Sequence, residues 1–357
     1  MKIVIKVGSN VLCAESKSLD LGLIERLIEQ IAALYEKGHE IILITSGAVA
    51  GGRGILKNPE AVSKAALAAA GQVEIMNHYH DFFGKHKIKT AQLLLSPNCF
   101  KNRARYDALK NTIIELVESR IIPIINENDA TTVNDSFRDN DSLASMIAVL
   151  FNAERLIFLT NLDGLYSADP NINKDARMIK EVKNVDLAIQ KMCSKGKSSL
   201  GSGGMLSKLK GAKLAATCGV EVNIINGLEP ENIGRLLSEN KPLGTRFLAQ
   251  KSGLSHRKKW LLIGAASQGK IIVDQGARKA LQGKNSLLAV GVKDVKGNFI
   301  QRDFVNIADQ KGEIFALGIV NYGSCDLSKI KGLKDKDSIK KICPREVVHM
   351  DNLTLLK

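Results

Sequence analysis

The first 250 residues alternate short apolar runs with longer segments whose apolar residues recur at helical spacing. Lys2–Val7 and Arg155–Thr160 are apolar runs of strand length, and Leu21–Tyr35 between them has a helical period. Strands this apolar need cover on both faces, and helices that follow successive strands supply it. The pattern therefore predicts an α/β fold built on a mainly parallel sheet.

The other elements predicted in this part of the chain continue the alternation. The further strands are Glu40–Thr45, Lys89–Leu95, Ile121–Asn126 and Glu221–Ile225. The further helices lie near Arg103–Ser119, Gly204–Cys218 and Pro230–Leu237.

The pattern changes after Gly244–Phe247, where Ser252–Lys259 is polar and basic and is interpreted as a linker. Glycines then separate short apolar runs at Leu261–Ile263, Lys270–Val273, Leu287–Val292, Phe304–Ile307 and Ile314–Val320. Short strands with glycine-containing turns are typical of a small β-rich barrel or sandwich. We therefore expect two domains, 1–255 and 256–357, in this chain of 357 residues.

The chain has 51 Lys and Arg residues against 37 Asp and Glu residues, a net charge of +14. Residues 251–357 hold 20 basic and 10 acidic residues and so carry +10 of that surplus. A basic surface favours anionic partners, so RNA binding by the second domain competes with a solvated basic face, which we favour. No apolar run approaches the ~18–20 residues of a membrane helix, so we expect a cytoplasmic protein without a membrane partner.

Four polar or glycine-rich sites are each expected just beyond the carboxyl end of a strand, the edge at which open α/β sheets bind ligands. The first is Lys6–Ser9, where a lysine precedes a small-residue turn whose amides can approach a phosphate. The second is Thr45–Gly52, where small residues at a strand-to-helix junction form either an anion site or a close packing contact.

The third site combines Asn126–Asp129 with Asp139–Asp141, two clusters of carboxylate and carboxamide residues at the ends of one loop. Such residues also cap helices and turns, but the two clusters together favour a polar ligand with an amino group. A divalent metal would compete for the same carboxylates.

The fourth site is Gly201–Lys208, in which glycines supply amides and Lys208 lies one helical turn beyond Gly204. The sequence contains no P-loop motif, which argues against a P-loop nucleoside triphosphatase. Two lysines, two glycine turns and an acidic loop fit phosphoryl transfer, which depends on cations and amides around phosphates. A carboxylate acceptor would need no general base, and all six histidines lie outside the four sites.

These motifs resemble, in order along the chain, those of the glutamate 5-kinases in the amino-acid kinase family. The motifs are Lys6–Ser9, Ser46–Gly51, Asn126–Asp129, Asp139–Asp141, Asp163–Pro170 and Ser202–Lys208. The C-terminal part is similar to the PUA domain of many bacterial members at Val273–Leu281, Ser286–Leu288, Asn321–Tyr322 and Val348–Asn352.

The resemblance implies an amino-acid kinase-like three-layer sandwich followed by a PUA-like barrel. The implied activity is ATP-dependent phosphorylation of the side-chain carboxylate of L-glutamate in proline biosynthesis, with Mg²⁺ accompanying the nucleotide. We also expect a homo-oligomer, either a dimer or a tetramer. The rival substrates within the same fold are acetylglutamate, aspartate, carbamate and UMP.

The resemblance also implies roles for individual residues. The catalytic group would be Lys6 and Lys208, which neutralise the transferring phosphoryl group, and Asp141, which holds both lysines. The glutamate site would consist of Ser46, Gly47, Asp129, Asp139 and Asn140. The ATP site would consist of Lys6, Gly8, Ser9, Thr160, Asn161, Ser202, Gly203, Gly204, Met205 and Lys208. No residue is assigned as a metal ligand, because Mg²⁺ would arrive with ATP.

Three departures from the family pattern fall in or near these sites. Asn161 stands where the family usually has aspartate, and Arg138 precedes Asp139 where glycine is common. The loop Ala130–Arg138 is a residue shorter than in some relatives and contains no lysine. Family members sense proline through this loop, so proline is the expected feedback inhibitor. Proline inhibition is the property in which we expect this chain to differ from its relatives.

Overall fold

A computed structural model describes the chain at residues 1–13, 18–131, 139–168, 170, 172–185, 189, 204–238, 243–250, 253–263, 269–333 and 346–356. Its contacts divide the chain into two units. The first is Met1–Cys99 with Ala104–Ser252, and the second is Gly253–Lys357 with the short segment Phe100–Arg103. Nothing in the sequence pattern predicts that this short segment belongs to the second unit.

The first unit is built on an eight-stranded sheet. The strands of this unit are β1 (Lys2–Val7), β2 (Glu40–Ile44), β3 (Lys89–Leu95), β4 (Ile121–Glu127), β5 (Arg155–Thr160), β6 (Leu165–Tyr166), β7 (Met178–Ile179), β8 (Glu181–Val182), β9 (Glu221–Asn226) and β10 (Thr245–Phe247). Strands β6 and β7 form a separate antiparallel pair, and the others form one sheet in the order β3-β4-β2-β1-β5-β9-β10-β8. Neighbours in that sheet are parallel except β9 and β10, which confirms the predicted mainly parallel sheet.

Helices follow most of these strands. They are α1 (Ser9–Leu12), α2 (Leu21–Glu36), α3 (Ala48–Ile55), α4 (Lys64–Lys85), α5 (Asn98–Lys101), α6 (Arg103–Glu118), α7 (Asn140–Phe151), α8 (Met205–Thr217) and α9 (Glu231–Ser238). Side chains define two of the starts: Asp20 accepts from Leu23 N at 3.0 Å, and Ser63 accepts from Ala66 N at 3.2 Å. The long helix α4, which is rich in alanine, is not among the predicted helices.

Alternation along β1 sends successive side chains to opposite faces of the sheet. Ile3, Ile5 and Val7 lie in one apolar core with buried residues of α2 and α4. Lys6 points to the other face, where it contacts the carboxylate of Asp141 on α7. Strand β1 is central, with parallel neighbours β2 and β5 on its two sides. The sheet therefore places Lys6 on the face opposite the apolar core that β1 forms with α2 and α4.

Helices α3 and α4 approach each other through glycine. A Cβ atom at Gly71 would lie 1.8 Å from Ala48 O, and one at Gly52 would lie 2.0 Å from Leu67 O. Backbone atoms fill these positions, so neither residue has room for a side chain. The second predicted site, Thr45–Gly52, was expected to be either an anion site or a packing contact. At Gly52 it is a packing contact.

The second unit contains a five-stranded mixed sheet. Its strands are β11 (Gly269–Val273), β12 (Val292–Lys296), β13 (Phe304–Ala308), β14 (Ile314–Ile319) and β15 (Leu353–Leu355), in the order β12-β11-β13-β14-β15. Its helices are α10 (His256–Ile263), α11 (Gln275–Gln282) and α12 (Ser324–Ile330). Strands β11 and β13 are parallel and the other neighbours are antiparallel. The predicted β-rich character of this part is confirmed.

The core of the second unit includes the short segment from the middle of the chain. Trp260 Nε1 donates a hydrogen bond to Phe100 O at 2.7 Å, and both side chains are buried. The Arg103 guanidinium lies 5.2 Å from the centre of the Trp260 ring, and Phe304 meets that ring edge to face at 5.0 Å. The segment is therefore a packed part of this unit.

Two predictions for residues 252–292 are wrong. His256–Ile263 is helix α10, where a linker through Lys259 and a strand at Leu261–Ile263 were expected. The last four residues of this helix are all buried, so their continuous apolar run imitates a strand. The run Leu287–Val292 contains a 3₁₀ turn at Ala289–Gly291, and its strand, β12, begins only at Val292.

We expect Gly71→Ala to lower the free energy of unfolding by about 1–3 kcal/mol, because the added methyl group must push α3 and α4 apart. Gly84→Ala is the matched control on the same helix, since nothing lies within 4 Å of its Cβ position. That substitution should stabilise the helix by up to about 1 kcal/mol. Thermal unfolding followed by far-ultraviolet circular dichroism compares the two, and equal midpoints would contradict the close approach.

Candidate active site

Three charged side chains from three elements meet at the carboxyl edge of the sheet. Lys6 lies near the end of β1, Asp141 in the first turn of α7, and Lys208 in the first turn of α8. Lys6 Nζ is 2.7 Å from Asp141 Oδ1, and Lys208 Nζ is 3.1 Å from Asp141 Oδ2. Each carboxylate oxygen thus contacts a different ammonium group. The structure brings together all three residues of the predicted catalytic group.

Burial controls the electrostatics of these three residues. Lys6 is 5% exposed, Asp141 0% and Lys208 8%. Burial lowers the pKa of Lys6 and neighbouring Lys208 lowers it further, whereas Asp141 opposes both effects. Burial by itself would raise the pKa of Asp141, but the charges and hydrogen bonds of the two lysines hold it below its ordinary value. With both lysines protonated, the group has a net positive charge that an incoming anion can neutralise.

The predicted phosphate turn directly follows Lys6. Gly8 O accepts from Val11 N at 3.0 Å in the first turn of α1. A Cβ atom on Gly8 would lie 3.3 Å from Lys6 Nζ, so a side chain here would crowd the ammonium group. Ser9 is exposed at the start of α1. Glycine at position 8 therefore leaves room for the charged end of Lys6.

Asn140 is the centre of a second group of residues, which is called the uncharged group and consists of Asn140, Thr45, Ser46 and Asn126. Asn140 Nδ2 lies 3.0 Å from Thr45 O, 3.0 Å from Ser46 Oγ and 2.9 Å from Asn126 Oδ1. Two hydrogens serve these three acceptors. Asn140 Oδ1 is buried and has no hydrogen-bond partner among the described residues. Because an unpaired buried acceptor is costly, this oxygen is suited to a donor supplied by a ligand.

Gly47 and Asp129 flank the uncharged group. Gly47 is buried and has φ +90°, the left-handed conformation that favours glycine, where the chain turns from β2 into α3. Asp129 lies two residues beyond β4 and is exposed. The loop that follows, at residues 132–138, lies outside the described residues, and so does the departure at Arg138.

Asp139 uses both carboxylate oxygens within the protein. Its Oδ1 accepts from Ser142 N at 2.8 Å and caps α7, and its Oδ2 accepts from the hydroxyl of Ser207 on α8. Asp139 therefore fastens the start of α7 to the start of α8, beside Asp141 and Lys208. This engagement favours a positioning role over the predicted contact with glutamate.

Thr160 and Asn161 lie where β5 ends beside β9. The Thr160 hydroxyl donates to Asn161 Oδ1 at 3.4 Å. Asn226 ends β9, and its Nδ2 donates to Asp163 Oδ1 at 2.9 Å. A carboxylate is therefore present at this edge at Asp163, two residues after Asn161.

The predicted fourth site includes the start of helix α8. Gly204 is the N-cap of α8 and Met205 is its first residue, while Ser202 and Gly203 lie outside the described residues. The last described strand before this helix is β8, which ends at Val182. Residues 190–203, which directly precede the helix, lie outside the described residues, so the strand expected before this site stays a prediction. Lys208, in the first turn of α8, extends its ammonium group to Asp141 Oδ2.

Sequence reasoning missed the buried residues beneath the uncharged group. Gln72 Oε1 accepts from Asn126 Nδ2 at 2.8 Å, and the hydroxyl oxygens of Tyr79 and Thr45 lie 2.7 Å apart. Gln72 and Tyr79 lie two turns apart on α4. The available signal was Gln72 itself, a polar residue on the same helix face as Ala68 and Ile75.

Metal-binding clusters and membrane-spanning helices are both absent from the residues that the structure describes. No group of three or more His, Cys, Asp or Glu side chains among those residues is placed to hold a metal ion. None of the helices described has both the length and the apolar character needed to cross a membrane.

Comparison with known proteins identifies the family. The sequence profile of the amino acid kinase family matches residues 1–226, and that of the PUA domain matches residues 269–342. Glutamate 5-kinase of Dehalococcoides mccartyi is 39% identical over 368 residues, covering 99% of this chain and 98% of the relative. The chain belongs to the glutamate 5-kinases of the amino acid kinase family.

Other glutamate 5-kinases match equally well. The protein of Caldanaerobacter subterraneus is 40% identical over 368 residues and covers 100% of this chain and 98% of the relative. The protein of Vibrio campbellii is 39% identical over 364 residues and covers 99% of this chain and 96% of the relative. The family predicted from the ordered motifs is confirmed over nearly the full chain.

Solved structures share the fold of the first unit. A carbamate kinase from Giardia lamblia bound to AMP-PNP has a TM-score of 0.52 at 19% identity, covering 70% of this chain and 98% of that one. The UMP kinase from Bacillus anthracis has a TM-score of 0.50 at 15% identity, covering 71% and 98%. At these identities the likeness shows the fold alone, and the predicted amino-acid kinase fold is confirmed.

We expect Asp141→Asn to cost about 3–5 kcal/mol of unfolding free energy at neutral pH, because two buried ammonium groups lose their carboxylate. The lysines depress the folded-state pKa of Asp141. Its stabilisation is therefore complete above the unfolded aspartate pKa of about 3.9 and is lost as the pH falls toward the folded value.

Urea unfolding of the wild type and of Asp141→Asn across a pH series measures this difference. It should be constant between about pH 5 and pH 8 and should shrink in more acidic solution. Asp20→Asn serves as the control because asparagine also caps α2, and its effect should stay near zero. A difference that persists undiminished in acid would contradict the coupling of Asp141 to the lysines.

Proposed function

We propose that this chain transfers the γ-phosphoryl group of ATP to the side-chain carboxylate of L-glutamate, the first step of proline biosynthesis. The bond between the γ-phosphorus and the bridging oxygen breaks, and a bond from that phosphorus to a carboxylate oxygen forms. The products are glutamyl 5-phosphate and ADP. Because the acceptor is already an anion, the reaction needs no general base. The names of the similar proteins support this assignment.

The observation that carries the mechanism is one buried carboxylate shared by two ammonium groups. Lys6 and Lys208 would neutralise negative charge on the phosphoryl oxygens as the group passes between two anions. Asp141 contacts each lysine through a different oxygen and would hold them at fixed positions. It would act as a positioning residue, since both of its oxygens face the lysines.

Glutamate would bind against the uncharged group. The unpaired Oδ1 of Asn140 offers an acceptor to the α-ammonium group of the substrate. Ser46 and Gly47 would meet the substrate at the turn into α3, and Asp129 would add a carboxylate from the end of β4. Asp139 would support the site indirectly through its bonds to α7 and α8.

ATP would bind across the ends of β1 and β5 and the start of α8. Gly8, Ser9 and Gly204 would supply amides to the phosphates, because backbone N–H groups at a helix start favour anions. The remaining contacts would come from Thr160, Asn161, Ser202, Gly203 and Met205. We propose that Mg²⁺ accompanies the nucleotide into this site.

Three further expectations stay predictions. Proline inhibition would depend on the loop at residues 130–138, which falls mostly outside the described residues. We also expect the chain to form a homo-oligomer, and for the basic second unit we favour a solvated surface over RNA binding. Of the rival substrates, acetylglutamate and UMP lack support from the glutamate 5-kinases that match this chain over its whole length.

The direct test of the proposed function uses the purified full chain with ATP, Mg²⁺ and L-glutamate. Hydroxylamine in the reaction should trap the acyl phosphate as a hydroxamate, which is measured by its iron complex. Aspartate, acetylglutamate, bicarbonate with ammonia, and UMP are compared in a parallel assay of ADP release. Absence of hydroxamate across a wide range of glutamate concentrations would reject the proposal.

We expect Lys208→Ala to lower kcat by roughly 10²–10⁴-fold, because one charge-stabilising contact to the transferring group is lost. The KM for ATP should change little. Lys213→Ala is the matched control, since it removes an exposed lysine from the same helix. Steady-state kinetics of both variants decide the point, and a kcat near that of the wild type for Lys208→Ala would assign its lysine a structural role.

A further inference from the structure

Gln72 is a buried polar residue that the proposed mechanism does not use. It lies on α4, is only 7% exposed, and is flanked on its helix face by buried Ala68 and Ile75. Its Oε1 accepts from Asn126 Nδ2 at 2.8 Å. Its Nε2 is buried and has no hydrogen-bond partner among the described residues. Among the described residues, Gln72 is therefore hydrogen-bonded through its carbonyl oxygen and not through its nitrogen.

Asn126 connects Gln72 to Asn140. Asn126 Oδ1 accepts from Glu127 N at 2.9 Å and from Asn140 Nδ2 at 2.9 Å. Its Nδ2 points the other way, to Gln72. The amide of Asn126 is therefore held at both ends, by a backbone donor at one end and by Gln72 at the other.

Removal of the Gln72 acceptor would release one end of this chain of amides. Asn126 is 1% exposed, so its Nδ2 would be left buried without an acceptor. An unsatisfied buried donor carries the full cost of desolvation, which favours rotation of the side chain toward another partner. Such a rotation moves Asn126 Oδ1 away from Asn140 Nδ2. The orientation of Asn140, and with it the direction of its unpaired Oδ1, then loses one of its three supports.

We propose that Gln72 is a positioning residue for the amino-acid acceptor, acting through Asn126 on Asn140. This inference rests on the proposed function, because it assigns the uncharged group to glutamate. The contacts among Lys6, Asp141 and Lys208 include none of these amides. Loss of Gln72 should therefore weaken glutamate binding and leave both ATP binding and the phosphoryl-transfer step intact.

The test compares two substitutions of Gln72 that differ in the acceptor oxygen. Gln72→Met keeps the length of the side chain and removes the acceptor, so the KM for glutamate should rise ~10-fold, the scale of one lost hydrogen bond. Gln72→Glu keeps an acceptor oxygen at the same reach, because burial favours the neutral carboxylic acid, whose carbonyl oxygen can still accept from Asn126 Nδ2. Its KM should stay within ~3-fold of the wild type, a difference below one ordinary hydrogen bond. For both variants kcat and the KM for ATP should be unchanged.

Phe83→Leu is the control for a merely structural effect. Phe83 is a fully buried residue three turns further along α4, so this variant lowers stability without touching the amides. Its KM for glutamate should equal that of the wild type. If Gln72→Met does not fold, Gln72→Asn takes its place, because the shorter side chain withdraws the acceptor from Asn126.

A double-mutant cycle shows whether Gln72 acts through Asn140. In an Asn140→Ala background, Gln72→Met should cause no further rise in the KM for glutamate, because the residue it positions is gone. Calorimetric titration with glutamate in the absence of ATP should give the same pattern in Kd. An undiminished effect in that background, an unchanged KM for Gln72→Met, or equal damage in Gln72→Glu would each overturn the inference. Lack of glutamate phosphorylation by the wild type would instead reject the proposed function.

Discussion

Burial of the Asp141 carboxylate between two lysines is the interaction on which the rest of the site depends. An isolated lysine in a protein interior tends to lose its proton, and the lowered pKa of Lys6 shows that burial acts here. Asp141 offsets that effect by contacting each ammonium group through its own oxygen. The three residues come from β1, α7 and α8, so the contact forms only when the central strand and the starts of both helices are all in register. The fold is thus constrained most tightly where the charges meet.

The site separates two kinds of polar chemistry. The lysines and Asp141 carry full charges, whereas Gln72, Asn126 and Asn140 form a chain of neutral amides. Amides do not titrate, so their hydrogen-bond directions are the same at any pH at which the protein is folded. The charged residues would stabilise the phosphoryl group during its transfer. The fixed directions of the amides would select glutamate over its analogues. The two kinds of residue meet on α7, where Asn140 and Asp141 are neighbours, and Asp139 fastens the start of that helix to α8.

The sequence predicted the sheet and the charged residues because these depend on local patterns. Apolar runs of strand length define β1 and β5, and Lys6 and Lys208 occupy short motifs whose order identifies the family. Asn126 and Asn140 belong to the third predicted site, but Gln72 was not predictable in the same way. Gln72 and Asn126 are 54 residues apart, and only the packing of α4 brings them together. Helix α10 was mistaken for a linker and a strand because its polar and apolar residues fall in two blocks instead of alternating.

The segment Phe100–Arg103 has a consequence for the order in which this protein folds. The bond between Trp260 and Phe100 joins residues 160 positions apart, so the core of the second unit needs a piece of chain made long before the rest of it. At about 5–20 residues per second, ribosomal synthesis separates the two residues by on the order of ten seconds. During that interval Phe100 has no Trp260 to pack against, although the chain on both sides of it can already join the first unit. The contact between Trp260 and Phe100 can therefore form only after the chain has been synthesised past residue 260, which makes it one of the late contacts of the second unit.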